Sequence, residues 1–457
     1  MKDLKLVIIG GGSSYTPELI DGVILHRETL PVKEIVLIDI PAGKEKVEIN
    51  TAFVKRMLSK AGMDIQVSYT FDRMKGLAGA DFVITQLRVG GLEARNQDER
   101  IPLKYGLVGQ ETTGAGGCFK ALRTIPVLLD ICADMEKVCK DAWLINFTNP
   151  AGIVTEAVNK YTKVKCIGLC NCPINMCHDA AERLGESVAE GDLDCRFVGL
   201  NHLSIMPHVY LKENADIPGM EHGHDYIEEV LKVRKAEGVV KNINKIAGMD
   251  EKAAAMGAML SPYMQYFYFT NEMVKEEQES VAVGKGTRAN QVQAVEKALF
   301  EKYRDTNLEE KPAELSKRGG SRYSEAAINL VNSIFNNACD IQTVDTLNGN
   351  IIPELPADAV IETNCIISSK GATPIAITED RADIRECYQA QQAEFMQLVK
   401  KIKEYERLTI EAAVHGDKEL AVQALTTNPL IGNRETAVQV FEELYEAHKA
   451  HLTRFVH

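Results

Sequence analysis

One stretch decides the fold: Leu-Val-Ile-Ile-Gly-Gly-Gly-Ser-Ser-Tyr-Thr-Pro, residues 6–17. Its first four residues form an apolar run that predicts a buried strand, and the segment from Thr16 to His26 predicts an amphipathic helix with Pro17 in its first turn. Small residues between a strand and a helix are typical of a dinucleotide-binding site. A glycine triplet in that place also forms plain tight turns, so the triplet alone leaves both interpretations open.

The same alternation of strand and helix continues through the first half of the chain. A helical pattern follows at 45–58, and five more segments have the composition of strands: Glu34 to Asp39, Ile65 to Tyr69, Phe82 to Leu87, Ala142 to Phe147 and Lys165 to Leu169. This alternation predicts an α/β fold with a Rossmann-like, doubly wound parallel sheet covered by helices on both faces. Ligands of such folds bind at the C-terminal ends of the strands.

The pattern changes at about Asp194. The segment from Phe197 to Leu211 is predicted to be extended, and the chain from Asp225 onward to be mostly helical, with a strand or two near 341–344 and 360–367. A long helical region is expected at 380–411, followed by two more helices. We therefore expect two domains that share one compact body, a nucleotide-binding domain at 1–194 and an α-rich α+β domain at 195–457.

Composition excludes several classes of function. The 457 residues carry a formal net charge of −13, which argues against nucleic acid or an anionic membrane surface as a partner but allows a small anionic substrate. No segment approaches the ~18 apolar residues of a membrane span, and the longest candidate is only Ala253 to Leu260. Eleven scattered cysteines without a signal-peptide pattern predict a cytoplasmic protein with reduced thiols.

Small residues after the first strand are candidates for contact with a pyrophosphate through their backbone N–H groups: Gly10, Gly11, Gly12, Ser13 and Ser14. Asp39, at the end of the second predicted strand, is placed to accept hydrogen bonds from an adenosine ribose, and its charge favours NAD over NADP. Tyr15 occupies the third glycine position of the Gly-x-Gly-x-x-Gly pattern. That departure predicts looser packing of strand and helix and a moderate affinity for the cofactor.

A thiol and an imidazole follow later strands. Cys170 directly follows the sixth predicted strand, and His202 ends the string Gly-Leu-Asn-His at 199–202. A thiolate and an imidazole can hold a divalent ion while leaving positions for substrate and water. From spacing alone a buried thiol and a core histidine are the favoured interpretation, because no Cys-x-x-Cys or His-x-x-x-His pair supports a metal. Cys172 and Cys177 also compete for the ligand role.

Three polar residues are candidates for substrate contact. Asn149 precedes a proline, which favours an extended backbone and a side chain that points into the crevice, although a turn-forming Asn is an equal alternative. Arg95 and Arg288 are candidate anion binders, because a guanidinium takes phosphate or carboxylate oxygens in pairs. A surface ion pair is the ordinary role of a single arginine.

Taken together, several strings resemble family 4 of the glycoside hydrolases, the NAD- and metal-dependent glycosidases, over nearly the whole chain. They are Gly-Gly-Gly-Ser-Ser-Tyr-Thr-Pro-Glu at 10–18, Gly-Gly-Leu-Glu-Ala-Arg at 90–95, Gly-Gln-Glu-Thr-Thr-Gly at 109–114, Asn-Phe-Thr-Asn-Pro at 146–150, Gly-Leu-Cys-Asn at 168–171, Gly-Leu-Asn-His at 199–202 and Pro-Tyr at 262–263. The family is similar to lactate and malate dehydrogenases in its first domain.

The resemblance implies roles for the candidate residues. Cys170 and His202 would be ligands of a divalent ion, usually Mn²⁺, and Tyr263 matches the catalytic base. The remaining residues would contact the substrate or hold its 6-phosphate: Arg95, Asn149, Asn171 and Arg288. In members that act on α-linked substrates, the residue after the metal cysteine is often an Asp that serves as general acid. Asn171 has no titratable proton, which resembles the 6-phospho-β-glucosidase subgroup.

The chemistry that the resemblance implies differs from hydrolysis by paired carboxylates. NAD⁺ takes a hydride from C3, Tyr263 removes the acidified C2 proton beside the metal ion, and the C1–O bond breaks by elimination. Water then adds and the hydride returns, so no net redox change is expected. The softness of a thiolate would favour zinc, whereas hard substrate and water ligands suit Mn²⁺.

Other functions remain open from the sequence. The alternatives are a 6-phospho-α-glucosidase of the same family, an NAD-dependent hydroxy-acid dehydrogenase and an NAD-sensing binding protein, since a fold alone does not fix function. A phosphorylated disaccharide or glucoside is the expected substrate. A homo-oligomer, a dimer or tetramer, is expected from the helical second half.

Overall fold

The computed structural model describes residues 3–235, 238–239, 243–318, 322–375 and 393–455. The strands are β1 Leu4–Ile9, β2 Val32–Ile38, β3 Gln66–Thr70, β4 Phe82–Thr85, β5 Trp143–Asn146, β6 Lys165–Gly168, β7 Leu193–Leu200, β8 Leu203–Leu211, β9 Met259–Leu260, β10 Asp340–Leu347, β11 Val360–Ser368 and β12 Gly371–Pro374. The α-helices are α1 Thr16–Leu25, α2 Lys44–Lys60, α3 Arg73–Leu77, α4 Gly91–Lys104, α5 Gly114–Val138, α6 Ala151–Tyr161, α7 Cys172–Leu184, α8 Ile227–Lys232, α9 Met249–Met256, α10 Gln265–Tyr268, α11 Thr270–Ala282, α12 Arg288–Arg304, α13 Tyr323–Asn336, α14 Ala393–His415, α15 Lys418–Thr427 and α16 Arg434–His448.

The first six strands form a parallel sheet in the order β3-β2-β1-β4-β5-β6. Successive residues of β1 enter two different cores, Val7 on one face and Ile8 on the other, because helices cover both faces. The predicted α/β class and its six parallel strands are therefore confirmed. The strand order reverses between β1 and β4, and ligands of doubly wound folds bind at that switch point.

Three strands from the second half of the chain extend the same sheet. β10 pairs with β6 in the antiparallel sense, with Asp345 opposite Gly168, and β11 and β12 follow outward. The expected strand or two lie at the predicted positions, but the sequence did not predict that they would join the first sheet. Pairing with β10 covers the edge that β6 would otherwise expose, a requirement that no local sequence pattern signals. The domain boundary at 194 stays a prediction.

The segment predicted to be extended at 197–211 is a tight hairpin. β7 and β8 pair with Leu200 opposite Leu203, so that only Asn201 and His202 form the connecting turn. Every residue of β8 is buried, and β9 pairs with its first half. The hairpin packs against β11 and brings its turn to the edge of the large sheet at which β6 ends.

The helices complete the fold largely as predicted. α14 begins at Ala393, and the part of the predicted helical region at 380–392 lies outside the described residues. α15 and α16 are the two helices expected after it. Within the described part of the chain, no helix has both the length and the apolar character that a membrane crossing requires.

Candidate functional site

The glycine loop connects β1 to α1 at a point where side chains do not fit. Gly10 has a φ of +86°, and a Cβ there would lie 3.0 Å from the backbone of Gln86. A Cβ on Gly11 would meet the Leu37 side chain at 2.6 Å, and one on Gly12 would lie 2.8 Å from Asp39 Oδ2. The loop therefore presents bare backbone beside the N-terminus of a helix, the arrangement that accommodates a pyrophosphate.

Hydrogen bonds hold this loop in place. The N–H of Gly12 donates to Asp39 Oδ2 at 2.6 Å, which fixes the predicted ribose acceptor directly against the loop. Asn50 Nδ2, on α2, donates to the carbonyl oxygens of Gly11 and Ser13 at 2.8 and 2.7 Å. Ser14 is fully buried, and its hydroxyl lies 3.4 Å from Glu296 on α12. The residues predicted to bind the nucleotide thus lie together, and helix α12 of the second half contacts them through Glu296.

Tyr15 fills the third glycine position by turning toward the second half of the chain. Its hydroxyl donates to the carbonyl oxygen of Arg318 at 3.2 Å, and the Arg318 guanidinium carbon lies 4.9 Å from its ring centroid. Directly behind it, the Tyr303 hydroxyl donates to the carbonyl oxygen of Ser14 at 2.9 Å. The Tyr15 ring therefore belongs to the contact between the two halves.

Cys170 and His202 meet at the C-terminal edge of the sheet. Cys170 lies two residues beyond the end of β6, and its Sγ is 3.5 Å from Nε2 of His202 in the hairpin turn. His202 has a φ of +66°, which is uncommon for a residue other than glycine and is often found at functional sites. The structure thus joins two residues that are separated by 31 intervening positions and that spacing alone does not link.

The hydrogen bonds of His202 define its tautomer. The Thr112 hydroxyl donates to Gln110 Oε1 at 2.9 Å, so its oxygen accepts from His202 Nδ1, which lies 3.1 Å away. The lone pair of Nε2 then faces Cys170. Burial and the neighbouring Lys120 ammonium lower the pKa of His202 to about 3, so the imidazole is neutral at physiological pH. A neutral ring oriented by its second nitrogen is the form in which histidine binds metals.

These two side chains fit a divalent ion. For a tetrahedral ion such as zinc, bond lengths of ~2.3 Å to sulfur and ~2.1 Å to nitrogen put the two ligand atoms about 3.6 Å apart, close to the observed 3.5 Å. Burial raises the pKa of the Cys170 thiol, so the thiolate needs a cation beside it. Among the residues that the structure describes, no group of three or more His, Cys, Asp or Glu side chains is arranged to hold a metal.

The two competing cysteines have other neighbours. The Cys172 backbone N–H donates to Cys170 Sγ at 3.4 Å, but its own thiol faces Ser261 Oγ at 3.6 Å. Cys177, farther along α7, lies against the Cys195 thiol of β7. Cys170 is therefore the cysteine that the fold directs toward His202.

Tyr263 lies directly over the imidazole. The two rings are stacked with centroids 3.6 Å apart and planes that differ by 4°. Burial, with the Cys170 and Cys172 thiols nearby, raises the pKa of Tyr263 well above its ordinary value. The side chain of Asn171 is next to this group, with Oδ1 4.0 Å from Cys170 Sγ. Tyr263, Cys170, His202 and Asn171 form what we call the metal-edge cluster.

Asn149 lies just beyond β5 at the same edge. Its Oδ1 is buried and has no hydrogen-bond partner in the described part of the chain, so this oxygen can accept from a ligand. Three residues later, a Cβ on Gly152 would lie 3.1 Å from Asn201 Cβ, which shows how closely the start of α6 packs against the hairpin turn. The predicted substrate contact and the metal-edge cluster therefore occupy neighbouring positions.

The two predicted anion binders differ in their surroundings. Arg95 is buried, and its guanidinium is held by Glu99 at 2.6 Å and Glu111 at 2.9 Å. Burial opposes its charge, but these two carboxylates raise the pKa of Arg95 above its ordinary value. Arg288, at the start of α12, has a buried Nε without a hydrogen-bond partner among the residues that the structure describes. Burial and the charges of Arg95 and Arg318 lower its pKa, which is the environment that an incoming anion would relieve.

Sequence reasoning missed several residues that shape the site. Glu111 receives Arg88, Arg95 and Lys120, and Thr112 orients His202. Both lie in the string at 109–114, whose glycines and threonines carried the only available signal. Arg318 reaches Tyr15 across 303 residues and has no local signal.

Comparison with known proteins matches both halves of the chain. A family model described as "Family 4 glycosyl hydrolase" matches residues 5–186, and one described as "Family 4 glycosyl hydrolase C-terminal domain" matches residues 197–431. The "Probable 6-phospho-beta-glucosidase" of Bacillus subtilis is 45% identical over 99% of this chain and 98% of its own. The "Maltose-6'-phosphate glucosidase" of the same organism is 29% identical over 98% of this chain and 96% of its own.

A solved structure is also similar along its whole length. The 6-phospho-beta glucosidase from Thermotoga maritima, solved "with manganese, NAD+ and glucose-6-phosphate", has a TM-score of 0.83 and 34% sequence identity, and the match covers 98% of this chain and 99% of that one.

Proposed function

The chain belongs to the family 4 glycosyl hydrolases, and on that premise we propose that it hydrolyses 6-phospho-β-glucosides with NAD and a divalent metal ion, Mn²⁺. One observation carries the proposal: Cys170 Sγ lies 3.5 Å from the neutral His202 Nε2, under the Tyr263 ring and at the sheet edge that the glycine loop also faces. A metal-binding pair beside a dinucleotide loop suits transient oxidation of a sugar.

Each cofactor has residues of this chain to hold it. The backbone of residues 10–14 would bind the pyrophosphate of NAD, and Asp39 would accept from the adenosine ribose. Cys170 and His202 would hold the metal and leave its other positions to water and substrate. When bound, NAD supplies a reversible hydride acceptor and the metal supplies Lewis acidity.

The side chains around them handle the sugar. Tyr263 removes the proton at C2, and its stacking on His202 fixes its hydroxyl relative to the metal position. Arg288 receives the 6-phosphate, supported by Arg95, while Asn149 offers its unpartnered oxygen to a sugar hydroxyl. Asn171 carries no titratable proton, so this position is not a general acid.

The β-anomer follows from the relatives. Identity is 45% to the Bacillus subtilis protein named for a β-linked substrate and 29% to the one named for maltose 6'-phosphate. Asn171 at the position of the α-type general acid agrees with this preference. We therefore propose the β-linked phosphoglucoside as substrate and treat the α-anomer as the alternative.

An assay of anomer and phosphate dependence tests the proposal. We expect release of 4-nitrophenol from 4-nitrophenyl 6-phospho-β-glucoside that requires both NAD⁺ and Mn²⁺, without net NADH formation. Turnover in D₂O should leave deuterium at C2 of the product. Faster turnover of the α-anomer would support the alternative, NADH accumulation would indicate a dehydrogenase, and absence of C2 exchange would exclude the elimination chemistry.

The setting of the enzyme is part of the same proposal. A charged sugar phosphate does not cross a bilayer unaided, so a phosphoglucosidase with free thiols suits the cytoplasm. We propose a dimer or tetramer, which analytical ultracentrifugation would establish.

A further inference from the structure

Glu362 is a buried carboxylate on β11 that accepts hydrogen bonds from the hairpin turn between β7 and β8. Only 1% of its surface is exposed. Its Oε1 accepts from Asn201 Nδ2 at 3.1 Å, and its Oε2 accepts from Ser204 Oγ at 2.5 Å. These two donors lie on either side of His202, so one carboxylate closes both ends of the turn that carries the imidazole.

This turn needs such support because of its backbone. His202 holds a positive φ of 66°, and a conformation of this kind in a residue other than glycine persists only when its surroundings impose it. Gly199 has a φ of +144°, and a Cβ there would lie 2.3 Å from the carbonyl oxygen of Leu203, so the hairpin is tightly closed at this end. A small displacement of Asn201 or Ser204 would turn the His202 ring away from Cys170.

The same carboxylate acts on a second segment through Ser204. The backbone carbonyl of Ser204 accepts the N–H of Ser261 at 3.0 Å, and Ser261 lies two residues before Tyr263. The Ser261 hydroxyl in turn lies 3.5 Å from the carbonyl oxygen of His202. His202, a proposed metal ligand, thus lies in the turn that Glu362 holds, and Tyr263, the proposed base, lies two residues from a segment hydrogen-bonded to that turn.

We propose that Glu362 is a positioning residue that fixes the 201–204 turn, so that His202 faces Cys170 and Tyr263 stays stacked on His202. The inference rests on the proposed function, because it concerns the metal position and the base of that reaction. The hydrogen bonds of Glu362 reach His202 and Tyr263 through Asn201, Ser204 and Ser261. After burial and Cys172, the charge of Glu362 also raises the pKa of the Cys170 thiol, an effect that both neutral variants of Glu362 remove alike.

Two variants of Glu362 separate the hydrogen bonds from the charge. Glu362→Met keeps the length of the side chain but removes both acceptors. Glu362→Gln still accepts from Asn201 and can donate to Ser204 Oγ, so it retains the turn without the charge. Asp345 lies opposite Glu362 in the sheet, and burial raises the pKa of both carboxyl groups, to about 7 for Glu362. Either variant leaves one buried acid in place of two, so both should fold.

Asn364→Ala is the matched control. Asn364 is on the same strand and is also buried, and it holds the base of the same hairpin by accepting from the Phe197 N–H at 2.7 Å and donating to the Cys195 carbonyl at 2.8 Å. It has no contact with the turn in these hydrogen bonds. Loss of hairpin stability alone would therefore appear equally in Asn364→Ala and Glu362→Met.

The readout is Mn²⁺ affinity without turnover, measured by electron paramagnetic resonance of free Mn²⁺, together with NAD affinity and kcat and KM. We expect Glu362→Met to weaken Mn²⁺ binding roughly 10- to 100-fold, the usual effect of losing a partner behind a metal ligand, with NAD affinity unchanged. Glu362→Gln and Asn364→Ala should remain within about threefold of the wild type. In the background of Ser204→Ala, Glu362→Met should add less than it does alone.

Two results would overturn the inference while leaving the proposed function intact: wild-type Mn²⁺ affinity in Glu362→Met, or equal losses in Glu362→Met and Asn364→Ala. Failure of the proposed function has a different signature, because the wild-type protein itself would then bind no Mn²⁺ and release no sugar from the phosphoglucoside.

Discussion

The rings of His202 and Tyr263 lie face to face, with centroids 3.6 Å apart and planes only 4° from parallel. Because Nδ1 of the imidazole is held by Thr112 and Nε2 faces Cys170, the plane of the stack is set by the hydrogen bonds of His202. The proposed base is therefore oriented by the proposed metal ligand. Changes in one ring should be measurable at the other.

Removing the Tyr263 hydroxyl while keeping the ring should separate these two roles. We expect Tyr263→Phe to lower kcat by roughly 10²- to 10⁴-fold, the usual contribution of a proton-transfer group, with Mn²⁺ affinity and thermal stability unchanged. Tyr263→Ala should also weaken Mn²⁺ binding, because the His202 ring loses its stacked neighbour. Steady-state kinetics and Mn²⁺ titration of both variants would measure this. A Tyr263→Phe enzyme with near wild-type kcat would exclude the base role.

The parallel half of the fold was predictable because its signals are local. Largely apolar runs such as 6–9 and 82–85 have the length of buried strands. The helical patterns between them indicate a doubly wound parallel sheet. The antiparallel strands β10 to β12 were not assigned to this sheet, since their pairing with β6 depends on an edge that only the folded sheet has. Likewise, the two-residue turn at Asn201 and His202 lacks the Asn-Gly type of signal and was not expected.

The site was predictable as a set of residues but not as a geometry. Cys170 and His202 each follow a strand, yet their contact depends on a hairpin from the second half packing against β11. The supporting groups are long-range partners, as Glu362 is 161 residues from Asn201. Sequence patterns report which side chains could do chemistry, whereas tertiary pairing decides which of them meet.

A methyl group at Gly12 should weaken NAD binding without unfolding the protein. The added Cβ would lie 2.8 Å from Asp39 Oδ2, the mobile end of a side chain, so the carboxylate moves and loses its position beside the loop. We expect Gly12→Ala to raise the Kd of NAD by about tenfold or more and to leave Mn²⁺ affinity unchanged. Fluorescence titration with NADH measures the effect. Gly191→Ala is the control, since no atom of the described residues lies within 4 Å of its added Cβ. An equal loss there would refute the argument.

Loss of the Arg288 charge should affect phosphorylated substrates only. No described residue accepts from the buried Nε of Arg288, so a phosphate would gain a charge-assisted hydrogen bond that glutamine cannot replace. We expect Arg288→Gln to raise KM for the 6-phospho-β-glucoside roughly 10- to 100-fold. Arg304→Gln, at the exposed far end of the same helix, should behave as the wild type. An unchanged KM in Arg288→Gln would remove this arginine from the phosphate site.

Glu277 on α11 should make the protein less stable as the pH rises. Its Oε2 accepts the Gly109 N–H at 2.8 Å, but burial, together with the charge of Glu99, raises its pKa to about 8. The unfolded chain loses this proton near pH ~4.3, so between about pH 4.3 and 8 the folded state binds more protons and its stability falls with rising pH. Glu277→Gln still accepts from Gly109 and has no proton to lose. Its free energy of unfolding relative to the wild type should therefore rise by at least about 1 kcal/mol between about pH 5 and pH 8, measured by urea denaturation.

Glu272→Gln, at an exposed position of the same helix, should follow the wild-type pH dependence. A constant difference between Glu277→Gln and the wild type across this range would show that the carboxyl ionises in the folded protein as it does in water.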